Sequence, residues 1–194
     1  MLSRFPLVSK LVMSSFVLAA SNVGAHAQEV LLPPFGLQWG GDPEKLLEWV
    51  SEQELQATTM ASGSDPKIKT IRVESTSGSL PNDEAHALDA RYHDGKLFEV
   101  LVHHGLTHID SKYTVNYFNE LKSSLAVKYG MFSPNNKQQN KIGGRVRKSV
   151  AYHVEPVSGL LLMLVLSELK DVDSGKHSAR FSLIYRNQNI ILKG

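Results

Sequence analysis

Four histidines are the residues of this chain whose type and spacing could do chemistry: His86, His103, His104 and His108. Imidazole is a common ligand for Zn²⁺ or Cu²⁺, so these four form a candidate metal site. The alternative is a group of surface histidines at a strand end, because the adjacent His103 and His104 point to opposite faces of a strand and no H-E-x-x-H motif occurs. No cofactor is expected beyond such a Zn²⁺ or Cu²⁺ ion.

A basic stretch supplies the second candidate site. Lys141, Arg145 and Arg147 lie within a polar segment that also holds Lys137 and Lys148. A phosphate, a sulfated glycan or an acidic protein could use these charges as a ligand-binding site. The alternative is a solvated loop, because a chain of balanced charge must place its basic residues somewhere.

Catalytic motifs are absent from the sequence. There is no G-x-S-x-G elbow, and the absence of cysteine excludes thiol chemistry. The segment D-V-D-S-G at residues 171–175 departs from a calcium-binding EF-hand, since its glycine is the fifth residue instead of the sixth. We therefore predict no catalytic residue and favour a binding protein over an enzyme.

The first 27 residues carry the pattern of a cleaved signal peptide. Arg4 and Lys10 give a basic start, residues 11–20 are apolar, and residues 25–27 are Ala-His-Ala. The apolar run is about half the length that crosses a bilayer, so no membrane span is expected. We expect segment 1–27 to be removed and segment 28–194 to form a single periplasmic or secreted domain.

The charge of the remaining chain is balanced. Of the 21 Lys and Arg residues, Arg4 and Lys10 lie in the leader, which leaves 19 against 19 Asp and Glu. A neutral chain has no general attraction to nucleic acid, and the basic stretch has no aromatic residues on which bases could stack. We expect a protein or envelope partner and no nucleic acid.

The local patterns predict an α+β fold, with two helices packed on one face of an antiparallel sheet. Helices are predicted from Asp42 to about Gln53 and from Asp110 to Gly130. Asp94-Gly95 predicts a hairpin turn in which Tyr92 faces Leu97 and His86 faces His103. The segments predicted as further strands or loops are a short strand within residues 28–41, a loop at 58–66, a strand at 68–75, a long loop at 132–144, strands at 146–154, 160–166 and 180–186, and a closing hairpin around 187–188.

The opening F-G-L-Q-W-G-G-D-P-E, residues 35–44, resembles the start of uncharacterised secreted bacterial α+β proteins, with the pattern F-G-x-x-W-G-x-x-P-E. The hairpin Y-H-D-G-K-L-F at residues 92–98 and the helix end K-Y-G at 128–130 are similar to the same broad group. No activity follows from this resemblance. The order of elements is also similar to that of secreted β-lactamase inhibitor proteins, which present a sheet face to an enzyme; this is an analogy of fold alone.

The leading functional hypothesis is an exported, non-catalytic binding protein, an inhibitor-like or protein-interaction module of the cell envelope. The alternative is a periplasmic protein that binds or depends on a metal through the four histidines.

Overall fold

The computed structural model describes residues 30–76, 78–81, 83–105 and 110–192. Within those ranges the chain forms eight strands and three helices. In chain order they are α1 (Pro43–Glu52), β1 (Gln56–Ala61), β2 (Ile68–Glu74), β3 (Ala85–His93), β4 (Lys96–His104), α2 (Ser111–Tyr129), β5 (Ser133–Ile142), β6 (Arg145–Val157), β7 (Leu160–Asp171), β8 (His177–Asn187) and α3 (Gln188–Leu192). No helix among these is long and apolar enough to cross a membrane.

All eight strands belong to one antiparallel sheet, with the order β1-β2-β3-β4-β8-β7-β6-β5. Each half of the chain is a helix followed by four strands that pair in sequence, and the two halves meet where β4 pairs with β8. The architecture is α+β with an antiparallel sheet, as the sequence predicts. The helix count differs, because α3 follows β8 directly.

Helix α2 begins and ends as its sequence indicates. The Asp110 side chain accepts a hydrogen bond from the backbone N–H of Lys112 at 2.9 Å, and Gly130 follows the last turn with φ 100°. The helix packs against β6, β7 and β8. Its buried Phe118 lies 5.5 Å from the ring of Phe181 and 6.1 Å from that of Tyr152, between ring centroids. This contact fixes which face of the central strands α2 covers.

Helix α1 has proline in its first turn, as predicted, and buries Leu46 and Val50. Both side chains belong to the same hydrophobic cluster as Phe118 of α2 and the buried residues of β2, β3, β4, β7 and β8. The segment before α1 is held by a hydrogen bond from Trp39 Nε1 to the carbonyl of Leu31 at 2.8 Å. It forms turns, and the strand predicted there is wrong.

The hairpin of β3 and β4 has the predicted turn but only part of the predicted register. Tyr92 pairs with Leu97, as expected, but the register then shifts by one residue, so that Arg91 pairs with Glu99. A second irregularity between Ala85 and Ala87 places Ala87, instead of His86, opposite His103. Bulges of this kind insert one residue into a strand, and a regular two-residue turn does not reveal them.

Three further local predictions are wrong. Residues 132–144 were expected to form a loop, but Ser133–Ile142 is the edge strand β5. Part of the loop predicted at 58–66 belongs to β1, the opposite edge strand. The closing hairpin is absent, since β8 continues to Asn187 and α3 follows it.

Candidate functional site

The two faces of the central sheet differ in how deeply their side chains are buried. On β7, Leu160, Leu162, Leu164 and Leu166 are at most 8% exposed, and Leu164 and Leu166 pair with Tyr152 and Phe181, the residues that α2 contacts. Strand alternation puts the intervening residues on the opposite face, where they are only half-buried. We call this second face, opposite α2, the open face.

An apolar strip crosses the middle of the open face. Leu101 of β4 pairs with Ile184 of β8, which pairs with Met163 of β7, so the three side chains form one row. Leu161 and Val165 flank Met163 on the same face of β7. All five are half-buried. The apolar strip is therefore partly accessible, although it lies at the centre of the sheet.

A buried carboxylate adjoins one end of the apolar strip. Glu99 is 1% exposed and lies between two half-buried arginines, Arg91 and Arg186. The distance from Arg91 Nη1 to Glu99 Oε1 is 2.5 Å, and Arg186 Nε donates to the other carboxylate oxygen. One buried negative charge thus holds two guanidinium groups on the open face.

A second polar network adjoins the apolar strip on the other side. His103 Nε2 lies 2.9 Å from Asp89 Oδ2, and His103 Nδ1 lies 2.9 Å from Ser182 Oγ. Arg72 donates to both Asp89 oxygens, at 3.0 and 3.2 Å. Burial by itself raises the pKa of Asp89, but the hydrogen bond from His103 and the charges of His103 and Arg72 outweigh it and lower the pKa. Asp89 is therefore held as a carboxylate.

This network contains the residue types of a Ser-His-Asp triad, which no sequence motif indicates. Asp89, His103 and Ser182 come from β3, β4 and β8, three adjacent strands, and only the sheet order brings Ser182 to the other two. Acyl transfer also needs hydrogen-bond donors for an oxyanion, which backbone N–H groups or side chains can supply. Strand β8 lies between β4 and β7, so its own N–H groups are directed into the sheet ladders on both sides. Asp89, His103 and Ser182 thus form a hydrogen-bonded chain across three strands of the open face.

A pocket of about 350 Å³ opens beside this network. We call it the arginine pocket, and the polar residues that line it are Arg72, His86, His103, His104, Arg147, Ser167, Arg180 and Ser182. Burial, followed by the charges of His103 and Arg72, lowers the pKa of His86. His86 Nδ1 is buried and has no hydrogen-bond partner among the described residues.

The four predicted metal ligands do not form one cluster among the described residues. The rings of His86 and His103 are 6.3 Å apart between centroids, and His103 is already bonded to Asp89 and Ser182. His104 lies on the α2 side, stacked on Phe181 at 4.5 Å. His108 lies outside the described residues. In the described part of the chain no group of three or more metal-ligating side chains occurs, and the metal site stays a prediction.

The predicted basic set is divided between the two faces. Lys141 pairs with Val146, whereas Arg145 and Arg147 alternate with Val146 on β6 and project to the opposite side. Arg145 is paired with Asp171 at 3.4 Å. Only Arg147 lines the arginine pocket, and there it joins Arg180, which sequence reasoning missed.

The open face carries an excess of positive charge. By cross-strand pairing it holds six arginines and four carboxylates, and each of these carboxylates is paired with at least one arginine. The arginines are Arg72, Arg91, Arg145, Arg147, Arg180 and Arg186, and the carboxylates are Glu74, Asp89, Glu99 and Asp171. Arg147 and Arg180 have no carboxylate partner in the described part of the chain. Both of these unpaired arginines line the arginine pocket.

Comparison with known proteins finds no match for this chain among family models, curated proteins or solved structures.

Proposed function

We propose that this chain is an exported, non-catalytic binding protein that engages an acidic protein partner through its open face. The observation that carries the proposal is the combination of the apolar strip with the two unpaired arginines beside it. Protein interfaces commonly bury an apolar centre within a polar rim, and arginine is enriched in them. A partner that supplies carboxylates would complement the charge of this face.

The packing of the helices supports this use of the sheet. Because Leu46 and Val50 share one hydrophobic cluster with Phe118, we infer that α1 covers the same face as α2. The long helices would then stabilise one side of the sheet and leave the apolar strip for a partner.

Site-specific photo-crosslinking tests the proposal. A benzophenone amino acid at Met163 lies in the apolar strip, and the same residue at Val127, which is 91% exposed on α2, serves as the matched control. In envelope extract of the host, we expect the Met163 probe to give one discrete adduct with an acidic protein and the Val127 probe to give none. Equal adducts from both positions, or none from Met163, would contradict the proposal.

Export forms part of the same proposal. The leader pattern in residues 1–27 is its support. The protein recovered from its host should begin at Gln28 and be found outside the cytoplasm, which intact mass measurement of fractionated cells will check. Cytoplasmic protein that retains Met1 would refute this part.

A further inference from the structure

We infer that the arginine pocket is a binding site for an oxyanion, a carboxylate or phosphate group. The role of this site as an anchor for an acidic partner rests on the proposed function. Its ability to bind an oxyanion is argued from the geometry of the pocket alone. The residues that would contact the oxyanion directly are Arg147, Arg180 and His86, with the Ser182 hydroxyl beside them.

The donors in this pocket fall into two groups. Arg72 and His103 are already bound to Asp89, so they have little hydrogen-bonding capacity left, although the Arg72 guanidinium adds positive potential. Arg147 and Arg180 are exposed and have no carboxylate partner among the described residues. Guanidinium groups bind carboxylate and phosphate oxygens through paired N–H donors. The free arginines are therefore the groups with which an oxyanion would pair.

His86 gives a second and independent indication of an oxyanion site. Its Nδ1 atom is buried without a hydrogen-bond partner, whereas buried polar atoms in folded proteins are nearly always bonded. His86 lies at the irregularity between Ala85 and Ala87, which removes it from the regular pairing of β3 with β4. A rotation of the His86 ring would bring this nitrogen to an oxyanion in the pocket, which would accept a hydrogen bond from it.

The carboxylates near the pocket are already engaged. Asp89 is bonded to Arg72 and His103, and Glu74 is exposed and bound by Arg72. Glu168, which lines a neighbouring pocket with Arg147 and Arg180, lies 3.3 Å from His177 Nε2.

Calorimetric titration with two probes tests the inference. Inorganic phosphate represents a free oxyanion, and a blocked tri-glutamate peptide represents the carboxylates of a protein. Both should bind the wild-type protein, and Arg180→Gln or Arg147→Gln should each weaken binding about tenfold or more, because a charge-assisted hydrogen bond is lost. The matched control is Arg145→Gln, which removes the same charge from the same face but at a residue that is paired with Asp171.

A second variant tests the histidine without changing net charge at neutral pH. His86→Phe keeps a ring but removes Nδ1, and it should weaken both probes while the melting temperature stays close to that of wild type. Binding of the peptide alone would assign the site to a protein carboxylate, and binding of phosphate alone would assign it to a phosphate group; either result supports an oxyanion site.

The inference is overturned if neither probe binds at millimolar concentration, or if Arg145→Gln weakens binding as much as Arg180→Gln. The proposed function can then still hold, since the Met163 crosslink reports the apolar strip independently of the pocket. Conversely, phosphate binding without any Met163 adduct leaves the oxyanion site intact and removes the macromolecular partner.

Discussion

Glu99 is the most deeply buried charged side chain of the described residues, and it holds Arg91 and Arg186 together. Burial of a carboxylate is costly unless hydrogen bonds compensate it, so the two arginines supply the donors that this buried side chain needs. A neutral amide in its place would leave two half-buried guanidinium groups without a counter-charge.

We therefore expect Glu99→Gln to lower the free energy of unfolding by about 2 kcal/mol, since both arginines retain some access to water. Urea denaturation measures the change. Glu48→Gln, at an exposed position on α1, is the control and should alter stability by less than about 0.5 kcal/mol. An equally small change for Glu99→Gln would show that the network contributes nothing to stability.

His104 is the residue that should make stability depend on pH. It is 3% exposed, and burial lowers its pKa from 6.5 to about 4. Its Nδ1 lies 3.7 Å from Asp83 Oδ1, which is too far for a hydrogen bond. The folded protein thus holds His104 neutral, whereas the unfolded chain takes up a proton as the pH falls below 6.5.

It follows that the wild-type protein should lose about 3 kcal/mol of stability through His104 between pH 7 and pH 4. His104→Phe retains an aromatic ring against Phe181 and Tyr117 but cannot titrate. Its stability should fall less steeply over the same interval. Parallel curves for the two proteins, measured by denaturation at several pH values, would assign the dependence to other groups.

At the scale of elements, the connection from β4 towards α2 depends on Gly105. Its φ is +88°, and a Cβ atom there would lie 2.8 Å from the carbonyl oxygen of Ala179 and 3.0 Å from the Cα of Arg180. Both contacts are with the backbone of β8, which cannot rotate away as a side chain can. Glycine is thus required by the backbone conformation and by the close approach of two strands.

Gly105→Ala should destabilise the protein by about 2–4 kcal/mol. Gly63→Ala is the comparison, because Gly63 has no atom within 4 Å of an added Cβ and no positive φ. Thermal denaturation of the two variants should separate them clearly. If the two melting temperatures are lowered alike, the close approach at Gly105 is not as tight as the distances indicate.

The edge strand β5 shows why sequence patterns do not predict every strand. Its residues are almost all polar and exposed, with Pro134, Lys137 and Lys141 among them, so it has neither an apolar period nor a buried face. Such residues are typical of protected sheet edges, where charge and proline discourage pairing with other chains. Pairing with β6 makes this segment a strand.

At the scale of the whole molecule, the two halves are joined by one pair of central strands, β4 and β8, and by a common hydrophobic cluster. Each half by itself would expose the edge of its last strand and the apolar residues that the other half covers. The halves should therefore unfold together.

The chain contains two tryptophans, Trp39 and Trp49, and both lie in the first half, whereas the longest helix, α2, lies in the second. Tryptophan fluorescence and far-ultraviolet circular dichroism thus report different halves. We expect the two signals to give one denaturation midpoint for segment 28–194, as for a two-state domain. Separate midpoints would show that the halves are independent units.

Interactions between residues close in sequence determine much of the fold. Proline in the first turn of α1, the Asp110 cap and Gly130 stop of α2, and the Asp94-Gly95 turn each depend on a few neighbouring residues, and the sequence predicts all of them. The antiparallel α+β class follows from the order of such elements.

The site was decided by tertiary structure. The pairing of β4 with β8 brings Ser182 to His103, and the pairing of β8 with β7 and β6 brings Arg180 near Arg147, although these residues are far apart in sequence. A bulge moved His86 out of register, and strand alternation separated Lys141 from Arg147. Turns and caps are short-range interactions that a sequence displays directly, whereas the order of strands and the shift at a bulge are settled by the burial of the whole core.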